Sequence, residues 1–340
     1  MARLRRAKEE DKALIYRWWK GIFAEDDGGH TDYYFDQLYQ TKQSYLLVDE
    51  NDELISSCQV HTRTLDFNGK PLQISFIVGV FTLPKFRNQG YMKELITKVL
   101  DILEHRDLLT YIQGYNPDLY VQYGFEKIYI RNHYWLDTLS LPTLSPMGVT
   151  YSCSALELRD LYRQFTKHFT GYVIRSTEDF NQLLLELNAL GGKLIAYQDN
   201  GKLLAYALVY AYSDHIEIEE MVYLNSKAMM SILASLKSVN LPIRLSVSEK
   251  EDLSRIFPYA TLEKTEYTNV RLNDSRLMNE LFKLNIKTAE AFFINNPTWF
   301  FRCILHRALN RLDWVAYRIL SFFCYGNKPI LSYTIPQFNS

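Results

Sequence analysis

The sequence predicts an α/β (α+β) fold built as two similar halves in tandem, each a mixed central sheet flanked by helices, followed by a short helical C-terminal region. Three observations predict it. Ile74, Phe76, Ile77, Val78, Val80 and Phe81 form a nearly unbroken apolar run with strong β-propensity, the pattern of a strand buried on both faces. Arg87-Asn88-Gln89-Gly90-Tyr91-Met92 then leads into apolar residues at Met92, Leu95, Ile96, Val99, Leu100 and Leu103, with Lys93, Glu94, Lys98 and Asp101 between them, which is helical spacing. The third is a repeat. The strand, polar turn and strand of Leu46–Ser56 recur at Leu194–Ala205, and Tyr259–Leu272 echoes Tyr123–Leu136.

Length and composition set the outer limits. The chain has 340 residues, too many for one domain at about 150 residues each. Leu139–Pro146, rich in Ser, Thr and Pro, reads as a linker, so the expected units are 1–146, 147–274 and 275–340. The balance of 38 basic against 39 acidic residues, net charge -1, gives no global attraction to nucleic acid. Cys58, Cys153, Cys303 and Cys324 lack CxxC or Cys/His ligand spacing, which argues against zinc and a disulfide framework and for reduced thiols in a cytoplasmic protein, with no metal expected. The basic first twenty residues run into a charged helix without the apolar core of a signal peptide. Asp313 and Arg318 interrupt the best candidate for a membrane span.

In chain order, Asp11–Phe23 reads as an amphipathic helix with Leu14, Trp18 and Ile22 on one side. The acidic loop Ala24–His30 follows; a solvated loop is the default for such a charge run, and Coulomb steering of a cationic amine is the functional alternative. Strands at Tyr45–Val48 and Leu54–Thr62 and a hairpin turn at Asn68-Gly69 feed the central strand, which Pro84 stops. The loop Arg87–Met92 therefore sits at a helix N-terminus. Free backbone N–H groups and the positive end of the helix dipole meet there, Gly90 lets the backbone approach a phosphate, and Arg87 supplies charge, so a pyrophosphate is the expected guest.

After the strand Leu109–Ile112 comes Tyr115-Asn116-Pro117-Asp118-Leu119-Tyr120-Val121-Gln122-Tyr123-Gly124-Phe125, then β character over Glu126–Leu136. In the second half, strand Ile216–Tyr223 leads to an amphipathic helix over Lys227–Ser238. Its entry, Asn225-Ser226-Lys227-Ala228, offers neither glycine nor guanidinium, so this half is expected to be catalytically silent and to shape an acceptor cleft. Asp214, Glu217, Glu219 and Glu220 read as a solvated strand face, with negative potential toward the cleft as the alternative. From Trp299 onward an amphipathic pattern with Arg302, His306, Arg307, Arg311 and Arg318 could lie on an anionic membrane surface, although such a helix more often packs on its own protein.

The pair of segments at 74–100 and 109–126 resembles the GCN5-related N-acetyltransferase (GNAT) superfamily, in which the first carries an R/Q-x-x-G-x-G/A acetyl-CoA motif and the second a tyrosine before an aromatic-Gly-Phe strand entry. Met92 stands where the motif prefers Gly or Ala, and that departure, with the chain length, resembles the Eis-type branch. The resemblance implies acetyl-CoA as co-substrate, held by Val80, Phe81, Thr82, Arg87, Asn88, Gln89, Gly90, Tyr91, Met92, Lys93 and Asn116. It further implies Tyr120 as the acid that protonates the CoA thiolate, backbone groups of Val80 and Thr82 on a splayed strand that polarise the thioester, and, as in the Eis branch, the C-terminal carboxylate of Ser340 as base. Glu25, Asp26 or a water chain could serve as base instead. The Eis branch usually ends in a sterol-carrier-like domain of about a hundred residues, and the tail here is too short for one. The expected activity is acetyl transfer to a small, cationic or aminoglycoside-like amine in a ternary complex. A FemX-like aminoacyl or peptidyl transferase and a non-catalytic CoA-binding module are the alternatives, and homo-oligomers are compatible with any of them.

Overall fold

The computed structural model describes residues 2–23, 29–113, 116–249 and 251–295. Strand β1 (Arg3–Arg6) and helix α1 (Lys12–Phe23) open it, and the short α2 (His30–Tyr33) runs into a π-helical turn over Tyr34–Leu38. A meander of β2 (Ser44–Val48), β3 (Leu54–Phe67) and β4 (Lys70–Thr82) leads to α3 (Tyr91–Leu103), β5 (Leu109–Ile112), α4 (Asp118–Val121) and β6 (Glu126–Leu136). The second half runs β7 (Val149–Thr150), α5 (Ala155–Thr166), β8 (Tyr172–Val173), α6 (Thr177–Ala189), β9 (Lys193–Asp199), β10 (Lys202–Ala211), β11 (Ile216–Tyr223), α7 (Ser226–Ser235), β12 (Ile243–Ser248) and β13 (Thr261–Leu272). Helices α8 (Ser275–Phe282) and α9 (Ala289–Asn295) close the described chain.

Local chemistry explains the joints. Asn68 and Gly69 both adopt positive φ, +52° and +77°, the backbone that a tight hairpin between β3 and β4 demands. Helices α5 and α6 start with capping boxes, Ser154 with Glu157 and Ser176 with Asp179, a sequence signal for two helices that the apolar periodicity alone did not reveal. Helix α3 buries Leu95, Ile96, Val99, Leu100 and Leu103 against Cys58, Val60 and Ile77 of the sheet, each side chain contributing about 1.5–3 kcal/mol. The other face of the first half packs Trp19, Tyr34 and Phe35 on Phe76, Val78 and Phe81. Helix α1 thus presents Ile15 and Trp19 to the core, one position round from the expected Leu14, Trp18 and Ile22, which flank it half-buried.

Mixed α/β architecture in two halves is what the chain adopts, but the halves share one sheet. The strand order is β1-β2-β3-β4-β5-β13-β6-β12-β11-β10-β9-β7, with β8 pairing β3. Strand β13, from the second half, lies between β5 and β6, while β6, from the first, lies between β13 and β12. Each half lends its last long strand to the other. A buried polar chain crosses the exchange: His133 on β6 meets Ser246 Oγ at 2.7 Å and Thr265 Oγ1 at 2.8 Å, and Ser246 donates to Glu217 at 2.9 Å.

The acidic strand β11 corrects one expectation. Glu217, Glu219 and Glu220 are 6%, 8% and 4% exposed, not a solvated face. Glu217 pairs with Arg244 at 3.1 Å, and Glu220 takes a two-pronged contact from Arg175 at 2.9 and 3.0 Å together with Tyr206 Oη at 2.7 Å. Partners on other elements, invisible to a local charge pattern, make that burial affordable. No helix among the described residues is long and apolar enough to cross a membrane. The amphipathic pattern from Trp299 onward lies outside the described residues.

Removing one partner of the Arg175–Glu220 pair strands a buried charge. Arg175→Met is expected to cost about 3–5 kcal/mol, read as a lower urea midpoint, and Arg175→Met with Glu220→Gln in one chain should regain more than half of it.

Candidate active site

Strands β4 and β5 run parallel and pair only at Ser75–Thr110, Phe76–Tyr111 and Ile77–Ile112. Beyond Ile77, β4 continues to Thr82 with no strand beside it on that edge among the described residues, although the Phe81 carbonyl already accepts from Ser56 Oγ at 2.7 Å and the Thr82 carbonyl from Arg87. A bulge bends the strand at the same place: Gln59 pairs with Val78 and Ser57 with Phe81, so one residue more lies on β4 than on β3. Gly79 takes φ +57° in this bulge, and a Cβ there would collide with the ring of Trp19. Val80 and Thr82 sit half-buried in the open stretch, and Phe81 turns its ring inward against Phe23 at 6.2 Å.

Pro84–Phe86 makes a single 3₁₀ turn, and the loop Arg87–Gly90 that follows is solvent-exposed. Asn88 (φ +61°) and Gly90 (φ +84°) both use left-handed backbone. Gly90 is the N-cap of α3 and has no side chain to cap it, so the first-turn N–H groups of Tyr91, Met92 and Lys93 keep their donor capacity. Arg87 Nε donates to the Thr82 carbonyl at 3.2 Å, tying the loop to the end of β4. Gln89 Nε2 donates to the Lys85 carbonyl at 3.0 Å. Positive dipole, free donors and a guanidinium therefore meet beside an open strand edge.

On the far side of the divergence, Asn116 stands exposed, its Oδ1 accepting the Asp118 N–H at 3.1 Å to start α4. Tyr120 is buried at 6% exposure, edge-on to Phe125 with centroids 6.2 Å apart. It belongs to the apolar cluster against which Val80, Tyr91 and Met92 pack, so the candidate acid and three of the eleven candidate cofactor residues converge on one body. Asn269 of the exchanged strand β13 donates to the Pro117 carbonyl at 2.9 Å and helps to hold α4 in place. Cys58, beneath this cluster, is pushed up to about 12 by burial, an inert thiol. Ser340, Glu25 and Asp26 lie outside the described residues.

Periodicity missed a polar stripe on β3. Ser57, Gln59 and His61 share the face of Phe81, Val78 and Phe76, their partners on β4, and are 0%, 0% and 4% exposed. Tyr34, on the π-helical turn, donates its hydroxyl to Gln59 Oε1 and lies 3.1 Å from His61 Nε2. Burial pulls the His61 imidazole down to about 3, so it is neutral. The available signal was polar residues at alternate positions in an otherwise apolar strand.

The second half repeats the frame without the site. Strands β11 and β12 also pair in parallel over three positions only, and β11 also has a bulge, between Ile218 and Glu220. There the bulge holds Glu219 rather than a glycine, and Asn225 caps α7 with its own side chain, accepting the Ala228 N–H at 2.9 Å.

The fold is shared with known proteins. Residues 3–128 match the family model described as acetyltransferase (GNAT) domain. Over those residues the chain is similar to a GNAT acetyltransferase domain. Solved structures of similar fold include a protein from Enterococcus faecalis described as a probable N-acyltransferase, 20% identical, TM-score 0.69, covering 80% of this chain and 73% of that one. A GCN5-related N-acetyltransferase from Anabaena variabilis is 15% identical with TM-score 0.68 over 81% and 73% of the two chains. Eis1 from Mycobacterium abscessus is 15% identical with TM-score 0.60 over 82% and 75%. No curated protein matches the chain.

In the matched region the single exposed guanidinium of the α3 loop is the element to test. A charge-assisted hydrogen bond is worth about 1.5–3 kcal/mol, so Arg87→Ala should weaken CoA binding roughly tenfold or more by calorimetry, with Arg87→Lys intermediate because it cannot bind in a fork. Equal affinity in wild type and Arg87→Ala would remove Arg87 from the site.

Proposed function

We propose that this chain transfers an acetyl group from acetyl-CoA to the amine of a small molecule by direct attack in a ternary complex. The observation that carries the reading is the open edge of β4 beside the uncapped N-terminus of α3, a combination that the second half does not repeat. In this reading 1–146 binds the cofactor, 147–274 shapes the acceptor side, and 275–340 is an accessory helical region.

Each group has a stated part. Arg87 and the N–H groups of Tyr91, Met92 and Lys93, on a loop shaped by Asn88, Gln89 and Gly90, hold the pyrophosphate. Backbone groups of Val80, Phe81 and Thr82 pair with the pantetheine arm as a missing strand would, and Asn116 reaches it from the other side. A backbone N–H at Val80 takes up charge on the carbonyl oxygen as the amine nitrogen attacks the carbonyl carbon. The C–N bond forms, the C–S bond breaks, and Tyr120 gives its hydroxyl proton to the departing thiolate. The proton lost by the amine goes to a base, for which the C-terminal carboxylate of Ser340 is our candidate. A cationic acceptor is part of the proposal through the acidic residues Glu25, Asp26 and Asp27, which would attract it.

Free thiol released from acetyl-CoA in the presence of a panel of amines tests the activity, and absence of release with every amine would sink it. Tyr120→Phe keeps the ring packed against Phe125 but removes the donor. Loss of a general acid typically costs about a hundredfold, expected here in kcat, with partial rescue by an acyl donor whose thiol leaves more easily. Deleting Phe338–Ser340 separates the candidate base from the rest: turnover should disappear while CoA affinity stays. Full activity after that deletion would exclude the Ser340 carboxylate.

A further inference from the structure

At its other end the sheet closes on a second strand pair that comes apart. Strand β7 pairs with β9 only at Val149–Tyr197 and Thr150–Ala196, and just before them the Gly148 carbonyl accepts the Gln198 N–H at 2.7 Å. Backbone groups alternate sides along a strand, so the N–H and C=O of Gln198, Ala196 and Leu194 all face this edge. Ser152 would be the next partner, opposite Leu194. Instead both backbone groups of Ser152 turn back on Thr150: its N–H donates to Oγ1 at 3.4 Å and its carbonyl accepts from the same hydroxyl at 3.3 Å. Leu194 therefore has no strand beside it on that edge among the described residues. The gap has space on both faces of the sheet, because Leu194 joins the core under α5 and α6 while Ile195 joins the core under α7. On the α6 face a cavity of about 430 Å³ is lined by Ser152 and Cys153 of the departing segment and by Leu184 and Asn188 of α6. On the α7 face an apolar cavity of about 60 Å³ is lined by Ile195, Val209, Ile216, Leu236 and Val239. Tyr151 and Lys193 line both, so both border the same stretch of edge, and Lys193 is the one charged residue lining either.

We infer that the open edge of β9 binds the carboxyl-terminal end of a peptide as an added strand. A peptide that continues the antiparallel direction of β7 sets its penultimate residue opposite Leu194 and its last residue opposite Lys193. The penultimate residue exchanges two backbone hydrogen bonds with Leu194 and turns its side chain into the larger cavity, where Ser152 and Asn188 suit a polar group. The last residue turns to the α7 face. The apolar cavity there has the room of about two waters, at about 30 Å³ each, which admits a methyl or isopropyl group. Its terminal carboxylate meets the ammonium of Lys193, which carries three donors. Backbone pairing supplies affinity, and two pockets of opposite character on alternate faces supply selectivity, which a bare sheet edge lacks. The ligand class is a peptide that ends in a polar residue followed by Ala or Val with a free carboxylate. This edge lies at the far end of the sheet from β4, and the inference stands whether or not the chain transfers an acyl group.

The peptide Gly-Gly-Gln-Ala, labelled with fluorescein at its N-terminus and titrated with the full chain, tests this by fluorescence polarisation. The free acid should bind saturably. Its C-terminal amide should bind roughly tenfold or more weakly, the worth of one charge-assisted contact, and N-methylation of the glutamine N–H should cost about fivefold, the worth of one neutral hydrogen bond. In Lys193→Gln the acid and the amide should bind alike, at the affinity that wild type shows for the amide, and Lys193→Arg should restore the preference for the acid. Cys153 reports the place of binding. It lines the larger cavity, and burial pushes its thiol up to about 11, so its alkylation is slow and responds to cover. Saturating peptide should slow that alkylation further, read by mass spectrometry of the fragment carrying Cys153. Absence of saturable binding, equal affinity of wild type for acid and amide, or binding that leaves Cys153 alkylation unchanged each overturns the inference, and none of these wild-type results depends on whether a variant folds. Peptide binding is measured without acetyl-CoA, so its failure is distinct from a failure of thiol release.

Discussion

Everything in the first half is arranged around a strand that leaves its neighbour. Parallel β4 and β5 stay paired as far as Ile77 and Ile112 and then separate, and the separation requires a bulge whose inner residue can adopt φ +57° and tolerate an aromatic ring where its Cβ would be. Glycine meets both conditions. The result is a length of β4 with free backbone groups inside a folded protein, a state that costs free energy unless a ligand pairs with it. The uncapped N-terminus of α3 adds a second set of unpaired donors. Both would be defects in a purely structural domain, and side by side they are the ground for proposing that an extended molecule with an anionic end binds here.

The second half shows what the same frame becomes when the site is closed. Its parallel pair separates after three positions and its strand bulges in the same way, yet Glu219 occupies the bulge and Glu220 beside it is neutralised by Arg175. Asn225 satisfies the N-terminus of α7 with its own oxygen. This half is fixed to the first by the exchange of β6 and β13.

That exchange is a long-range constraint. Because β13 separates β5 from β6, the position of α4, which carries Tyr120, depends on residues more than a hundred positions away, as the contact from Asn269 to Pro117 illustrates. His133 ties its swapped strand to β13 through Thr265 and to β12 through Ser246 with directional hydrogen bonds, which specify register better than apolar contacts do.

The sequence by itself determined the elements whose causes are local. The apolar run of β4, the helical spacing of α3, the Asn68-Gly69 turn and the positions of Arg87 and Gly90 follow from propensity, periodicity and backbone freedom, and so does the repeat of the strand-turn-strand unit. Tertiary structure decided the rest. Glu217 and Glu220 are acidic residues that a local pattern assigns to solvent, and Arg244 and Arg175, brought from other elements together with Ser246 and Tyr206, partner them inside. The polar stripe Ser57, Gln59 and His61 lies buried, with Tyr34, brought from a distant turn, partnering Gln59 and His61. The sheet order could not be read at all, because strands from the two halves have equivalent edges, and which one enters the gap beside β5 is settled by side chains that meet only once both halves are present.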